Sequence, residues 1–227
     1  MLWSFLGPLL KATVFYLIFH EIWGRSVTHF GLKILVGVVA LQFFHSIVQY
    51  SQQGIRQGQG TALHTTVPFE VLLFPTYAVP TLKLMTELTI CWLAAAFFAG
   101  AGIMVWVRLL ALGLLLLAFS IGTGLLIASL QTLARDISEI WHHLSPLLLF
   151  LTPVFYSLDR LPENVAGIVR ALNPLCPFVL AFQSSLTASP VPGAGGAWIA
   201  SIAWSAGALA AGYTVFRALE KEIVENL

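Results

Sequence analysis

Charged side chains are scarce in this chain, and their scarcity limits what the protein can be. Asp, Glu, Lys and Arg make up 9% of the 227 residues, hydrophobic residues make up 58%, and the mean hydropathy is +0.88. Since a soluble domain usually carries about 25% charged residues, this composition predicts an integral membrane protein. The formal net charge is only +1, and nucleic-acid binding requires clustered Lys and Arg. A nucleic-acid partner is therefore excluded.

Cysteine and the common catalytic motifs are also lacking. Cys91 and Cys176 are too few and too far apart for a disulfide scaffold or a zinc knuckle. The adjacent His142 and His143 point about 100° apart on a helix. They lack the H-E-x-x-H spacing, which favours a helix end at the membrane interface over a metal site. There is no G-x-x-x-x-G-K-S/T phosphate loop and no G-x-S-x-G elbow, so we predict no catalytic activity and no metal in this chain.

The chain does have long apolar runs. A helix needs about 20 residues to cross a hydrocarbon core of roughly 30 Å, so this length has room for about six spans. We predict an all-α integral membrane protein that forms a single domain over residues 1–227. The predicted spans are residues 6–22, 31–50, 76–99, 109–130, 140–157 and 197–215. The first run lacks a basic n-region and a small-residue cleavage site, which predicts a retained span rather than a signal peptide.

Two segments between the spans are too polar to cross lipid. Residues 52–66 are rich in Gln, Gly and Thr, and such a connector is longer than a typical loop. It is either a solvated loop or a surface held against a partner. Residues 162–186 contain apolar runs about half as long as a span requires. They predict short, half-inserted helices rather than one spanning helix.

Several residues inside the apolar runs invite a functional interpretation. Lys83 and Glu87 are four residues apart; they either pair with each other and so become buried, or lie near a pathway or a subunit seam. Phe15 and Phe19 share one helix face. They either pack against neighbouring helices or lipid, or form a track along which a ligand moves. Ser120, Gly124 and Ala128 recur every four residues, a pattern that predicts close approach of another helix.

Six segments of the chain resemble the membrane subunit of type-2 ATP-binding-cassette exporters, especially those that export polysaccharides such as O-antigen or teichoic acid. The segments follow the order of that family, nearly at its spacing, from the first span to the FRALE tail. They are WSFLGPL at 3–9, VGVVALQFF at 36–44, VPFEVL at 67–72, LARDI at 133–137, TPVFYSL at 152–158 and ALNPL at 171–175.

The resemblance implies a homodimer of six-helix protomers in the bacterial inner membrane, with two copies of a separate ATPase subunit. ATP and magnesium would then bind to that partner, so no cofactor is expected on this chain. The positive-inside rule does not orient the sequence because basic residues are evenly divided between the two sides. The resemblance instead implies that both termini are cytoplasmic. The implied function is ATP-driven export of a lipid-linked polysaccharide across the membrane.

The resemblance also implies roles for individual residues. Residues 52–66 are similar to the coupling helix of the family, and residues 162–186 to a pair of gate helices that re-enter from the outer side. The residues implied to couple to the ATPase are Arg56, Gln57, His64, Thr65, Arg135 and Asp136. The residues implied to line the channel are Phe15, Phe19, Phe155 and Tyr156. The residues implied to form the gate are Pro153, Pro162, Asn173 and Pro174.

Alternatives remain open for both the substrate and the N-terminus. The same architecture could export a drug, a small lipid or haem. A membrane-embedded transferase would need converging polar groups, for which Lys83 and Glu87 are the only candidates. Family members usually begin with a cytoplasmic amphipathic helix, whereas Trp3 already lies at the start of the first span. We expect either that this interfacial helix is missing or that the chain starts further upstream.

Overall fold

The computed structural model describes residues 6, 10, 13–14, 29–62, 69–134, 136–158, 161–186 and 194–225, without the side chains of 56–62, 69–74, 194 and 221–225. Over these residues the protein is all-helical, as the composition predicts. The helices are α1 (Phe30–Ala62), α2 (Phe69–Ala99), α3 (Ile103–Leu133), α4 (Asp136–Leu151), α5 (Glu163–Leu172), α6 (Cys176–Leu186) and α7 (Ala194–Glu225).

Four of these helices are long and apolar enough to cross a membrane. The candidate spans are Phe30–Ile55, Pro75–Ala99, Ile103–Leu133 and Gly195–Glu220, and the bent pair α5 and α6 would make a fifth. The chain is therefore a multi-pass membrane protein. Six spans were predicted; the first of them, residues 6–22, lies mostly outside the described residues.

The predicted fifth span, residues 140–157, is wrong at its C-terminal end. Helix α4 has 16 residues and ends at Leu151. Thr152 precedes Pro153, and a residue before proline is disfavoured in helical conformation. At about 24 Å, α4 is shorter than the hydrocarbon core of roughly 30 Å.

The predicted span 76–99 agrees with the candidate span Pro75–Ala99, whereas the helices that contain the predicted spans 31–50, 109–130 and 197–215 extend further at both ends. Helix α1 continues from the apolar run through the polar residues as far as Ala62, so the first part of segment 52–66 is helical. Helix α2 begins at Phe69 and contains Pro75 and Pro80. Hydropathy marks where a helix leaves the hydrocarbon, but the backbone hydrogen-bond ladder continues into the polar region.

Helix α3 is the centre of the bundle. It packs most extensively against α7 and then against α1. A Cβ atom added to Gly212 of α7 would collide with the carbonyl of Gly122, and one added to Gly124 would collide with the hydroxyl of Ser51 in α1. The predicted small-residue face of α3 is thereby confirmed as a site of close helix packing.

Helices α5 and α6 form two short elements, as the apolar runs of residues 162–186 predict. Their axes are bent by 104° at the break between them. Helix α6 is buried against α7 and α1, and Phe178 and Phe182 are fully enclosed. Helix α5 leaves Ile168 and Leu172 exposed. The pair therefore consists of one helix anchored in the core and one at the surface.

Candidate functional site

Asn173 connects the end of α4 to the bend between α5 and α6. The Asn173 amide nitrogen donates to the Leu151 carbonyl (3.1 Å) and to the Thr152 hydroxyl (3.0 Å), and its amide oxygen accepts from the Leu175 N–H (2.9 Å). Only 8% of Asn173 is exposed. We call Leu151, Thr152 and Asn173 the α4 joint. It satisfies backbone groups that the end of a helix would otherwise leave unpaired.

The segment after α4 folds back onto this joint. The Tyr156 hydroxyl donates a second hydrogen bond to the Leu151 carbonyl at 3.0 Å. Phe155 is buried, and its ring centroid lies 6.4 Å from that of Phe150 in α4. Two of the four predicted channel residues therefore lie at the C-terminal end of α4.

Gln183 of α6 connects the same region to α1. Its amide nitrogen donates to the Lys33 carbonyl and to the Pro153 carbonyl, each at 3.4 Å. Because the two acceptors belong to α1 and to the segment after α4, a single side chain ties α6 to both. The sequence did not predict a role for Gln183.

The structure brings three of the four predicted gate residues together. Pro153, Asn173 and Pro174 lie at or beside the α4 joint, and Pro153 and Asn173 are buried. Pro162 instead precedes α5 as its N-cap and is exposed. Of the predicted channel residues, Phe15 and Phe19 lie outside the described residues. Whether any of these residues lines a channel or forms a gate stays a prediction.

The predicted ATPase-coupling residues that the structure describes lie at one end of the bundle, opposite the α4 joint. Arg56 and Gln57 belong to the last turns of α1, but their side chains lie outside the described residues. His64, Thr65 and Arg135 lie outside the described residues altogether. Asp136 is exposed at the start of α4, where an acidic residue interacts favourably with the helix dipole.

A tertiary hydrogen bond joins the two parts of the predicted coupling region. The Gln131 amide nitrogen in α3 donates to the Gln52 carbonyl in α1 at 3.2 Å, across 79 residues of sequence. Ala134 then adopts an extended conformation that ends α3. Residues 52–66 and the turn at Arg135 are far apart along the chain. This bond brings the start of the connector next to the end of α3.

Lys83 and Glu87 pair with each other. The distance from Lys83 Nζ to Glu87 Oε1 is 3.6 Å, and the two side chains are 33% and 5% exposed. The i, i+4 interpretation is confirmed. Within the described part of the chain, no group of three or more His, Cys, Asp and Glu side chains could hold a metal ion.

A cavity that the sequence did not predict lies between α1 and α4. It has a volume of about 430 Å³, and its lining includes Leu41, Gln42, Phe44, Ser145, Pro146 and Phe150. The Gln42 amide nitrogen and the Ser145 hydroxyl are buried without a hydrogen-bond partner among the described residues. The signal that would have found it is the presence of Gln42 within VGVVALQFF and of Ser145 before PLLLF.

A series of aromatic rings connects the cavity wall to α6. The Phe44 ring stacks on Phe119 of α3 at 5.4 Å, and Phe119 contacts Phe178 of α6 at 5.1 Å between centroids. Trp141 of α4 meets Phe44 edge-on at 5.9 Å. Such pairs contribute about 0.5–1.5 kcal/mol each beyond the area they bury. The cavity wall is therefore backed by a packed core.

Comparison with known proteins gives relatives along the whole chain but no matching family model. The chain is 25% identical over its full length to a Myxococcus xanthus protein named O-antigen export system permease protein RfbA, and the match covers 87% of that protein. Two Klebsiella pneumoniae proteins of the same name are 22% identical over 80% of the chain and 70% of their own length. These relatives confirm the resemblance to polysaccharide-export permeases.

Proposed function

We propose that this chain is the membrane-spanning subunit of an ATP-binding-cassette exporter that moves a polysaccharide out of the cell. The observation that carries the proposal is the full-length similarity to proteins named O-antigen export permeases. The apolar helices α1, α2, α3 and α7 agree with a subunit that spans the membrane several times. The polysaccharide is lipid-linked, and ATP hydrolysis takes place on a separate partner subunit.

In the proposed assembly, two copies of the chain form a homodimer with two ATPase subunits in the inner membrane. Each protomer has six spans with both termini in the cytoplasm, and α4 contributes to the fifth. The pair α5 and α6 enters from the outer side as a gate. The 104° bend between these helices and the exposure of α5 support a segment that enters and leaves on one side.

Coupling to the ATPase starts at the cytoplasmic end of α1. When ATP draws the partner subunits together, they push on residues 52–66 and on the turn at Arg135. The hydrogen bond from Gln131 to the Gln52 carbonyl supports transmission of this push from α1 to the end of α3. Helix α4 begins directly after that end, so its position changes as well.

The α4 joint then passes the movement to the gate. Asn173 holds the C-terminal end of α4 through Leu151 and Thr152 and also holds the bend before α6 through Leu175. A shift of α4 therefore displaces the bend between α5 and α6. The described geometry supports this route because one buried side chain makes all three bonds.

The proposal is tested by deleting the gene in its native bacterium and measuring surface polysaccharide. We expect surface polysaccharide to be lost, the polymer to accumulate inside the cell attached to a lipid, and the wild-type gene to restore export. In vesicles that contain the chain and its ATPase, translocation should require hydrolysable ATP. Unchanged surface polysaccharide after deletion would disprove the proposed function, and an accumulated polymer without lipid would disprove the lipid-linked substrate.

A further inference from the structure

The cavity between α1 and α4 lies beside the middle of a candidate membrane span. Gln42 is at the middle of the candidate span Phe30–Ile55. Ser145, on the α4 side, is 8% exposed and is the buried residue of α4 over residues 136–151. A volume of about 430 Å³ falls within the range of about 300–1,000 Å³ that is typical of small-ligand pockets.

The cavity contains polar atoms whose hydrogen bonds are not made. The Gln42 amide nitrogen and the Ser145 hydroxyl have no partner in the described part of the chain. An unpaired donor in an apolar medium is strongly unfavourable relative to the same donor in water. Two such atoms in one cavity lining indicate that something else supplies the hydrogen bonds.

The lining limits the chemistry of what binds there. Its polar side chains are those of Gln42, His45, Ser46 and Ser145, and among the described lining residues none is Asp, Glu, Lys or Arg. A phosphate or a carboxylate would lose its hydration and would have no Lys or Arg to pair with, only the imidazole of His45. A neutral hydroxylated ring fits better, because its hydroxyl groups can pair with an amide and a hydroxyl while its C–H faces pack against Phe44, Leu41 and Phe150.

We propose that this cavity holds a neutral sugar ring of the polysaccharide during its passage, with Gln42 and Ser145 as the residues that bind its hydroxyl groups. The inference rests on the proposed function, since it assigns a binding site to the exported glycan. It adds that the cavity selects for uncharged sugar units and does not bind the phosphate groups of a lipid carrier.

Accessibility of Ser145 gives the direct test. The Ser145→Cys variant of the full-length chain in lipid nanodiscs is labelled with a small neutral thiol reagent, in a concentration series of maltotriose or of trigalacturonate. We expect maltotriose to slow labelling several-fold and the charged trisaccharide to have little effect. Wild type, whose Cys91 and Cys176 are buried, gives the background.

Ser129→Cys is the control, because the Ser129 hydroxyl is also buried and unpartnered, with the residue 0% exposed against 8% for Ser145, but is not part of the cavity lining. Neither sugar should change its labelling. The inference is overturned if Ser145→Cys does not react at all, if both sugars or neither slows its labelling, or if Ser129→Cys is protected to the same extent.

Export assays then separate this inference from the proposed function. Gln42→Leu removes the amide at nearly constant volume and should lower export several-fold at unchanged protein level, whereas Gln49→Leu, at an exposed position of the same helix, should not. If wild type fails to restore surface polysaccharide in the deletion strain, the proposed function is wrong. If wild type and Gln42→Leu restore it equally, only the sugar site is wrong.

Discussion

At the scale of single residues, buried polar side chains determine how the parts of this bundle are joined. Asn173 uses both ends of its amide at the α4 joint. Gln131 and Gln183 each donate to a backbone carbonyl of a distant helix. Hydrophobic attraction between helices is weak in lipid, so hydrogen bonds and close packing decide which helices meet.

Replacing Asn173 with Leu should destabilise the protein markedly. The change removes three hydrogen bonds and leaves the Leu175 N–H and the Thr152 hydroxyl without their partner. At about 1 kcal/mol per bond, we expect the free energy of unfolding to fall by about 2–3 kcal/mol. Thermal unfolding of the purified chain measures this change. Asn164→Leu, at an exposed position of α5, is the control, and equal melting temperatures for the two variants would contradict the role of the joint.

The Lys83 and Glu87 pair should behave as a coupled unit. Lys83→Met leaves the 5%-exposed carboxylate of Glu87 without its cation, which should cost about 1–3 kcal/mol. Adding Glu87→Leu to the same chain should recover much of the loss, since an apolar pair has no charge to bury. A double-mutant cycle on unfolding stability measures the coupling. Additive effects of the two single changes would show that the side chains do not depend on each other.

At the scale of elements, hydropathy predicted the apolar centres of α2, α3 and α7 and the C-terminal end of α2 at Ala99, but not the other ends of these helices. Helix α1 runs on to Ala62 because Gln and Gly residues outside the lipid still continue the backbone ladder. Helix α4 ends early because Pro153 follows it. The α4 joint was not predictable from pattern, since it pairs Asn173 with residues 21 and 22 positions away, and such pairings depend on the folded arrangement of the whole chain.

The contact between α3 and α7 depends on the absence of side chains at two facing positions. Gly212→Ala introduces a Cβ atom against the carbonyl of Gly122, and a backbone atom cannot move aside as a side chain can. We expect a loss of about 1–3 kcal/mol in the free energy of unfolding. Gly207→Ala, on the same helix with no atom within 4 Å of its added Cβ, should be neutral or slightly stabilising, because Ala favours a helix over Gly. Equal stability of the two variants would mean that the helices are not in close contact there.

At the scale of the whole molecule, the proposed exporter must link ATP binding and hydrolysis by its cytoplasmic partner to a gate at the outer side of the membrane. The residues proposed for coupling and those proposed for gating are at opposite ends of the bundle, and α1, α3 and α4 connect them. The sequence indicated both groups through the family resemblance. The described contacts add the hydrogen bond from Gln131 to Gln52 and the α4 joint as the places where movement passes between elements.

Charge reversal in the coupling segment should separate ATP hydrolysis from export. Arg56→Glu places an acidic group on the surface proposed to contact the ATPase, so we expect hydrolysis to continue while export falls several-fold and the complex still assembles. Parallel measurements of phosphate release and glycan translocation in vesicles test this. Arg108→Glu, at an exposed position near the opposite end of α3, is the control. Full export by the Arg56 variant would mean that residues 52–66 are only a loop.

Helix α1 has a mechanical consequence because it is one unbroken rod. Its 33 residues extend about 50 Å, well beyond a hydrocarbon core of roughly 30 Å. If a helix of this length tilts about its midpoint, a tilt of about 5° displaces each tip by about 2 Å. Gln42 sits near that pivot, where displacement is smallest. In the proposed exporter, the α1 side of the sugar site would therefore move little while the cytoplasmic tip swings, and Ser145 would move relative to Gln42 as α4 shifts with each ATP cycle.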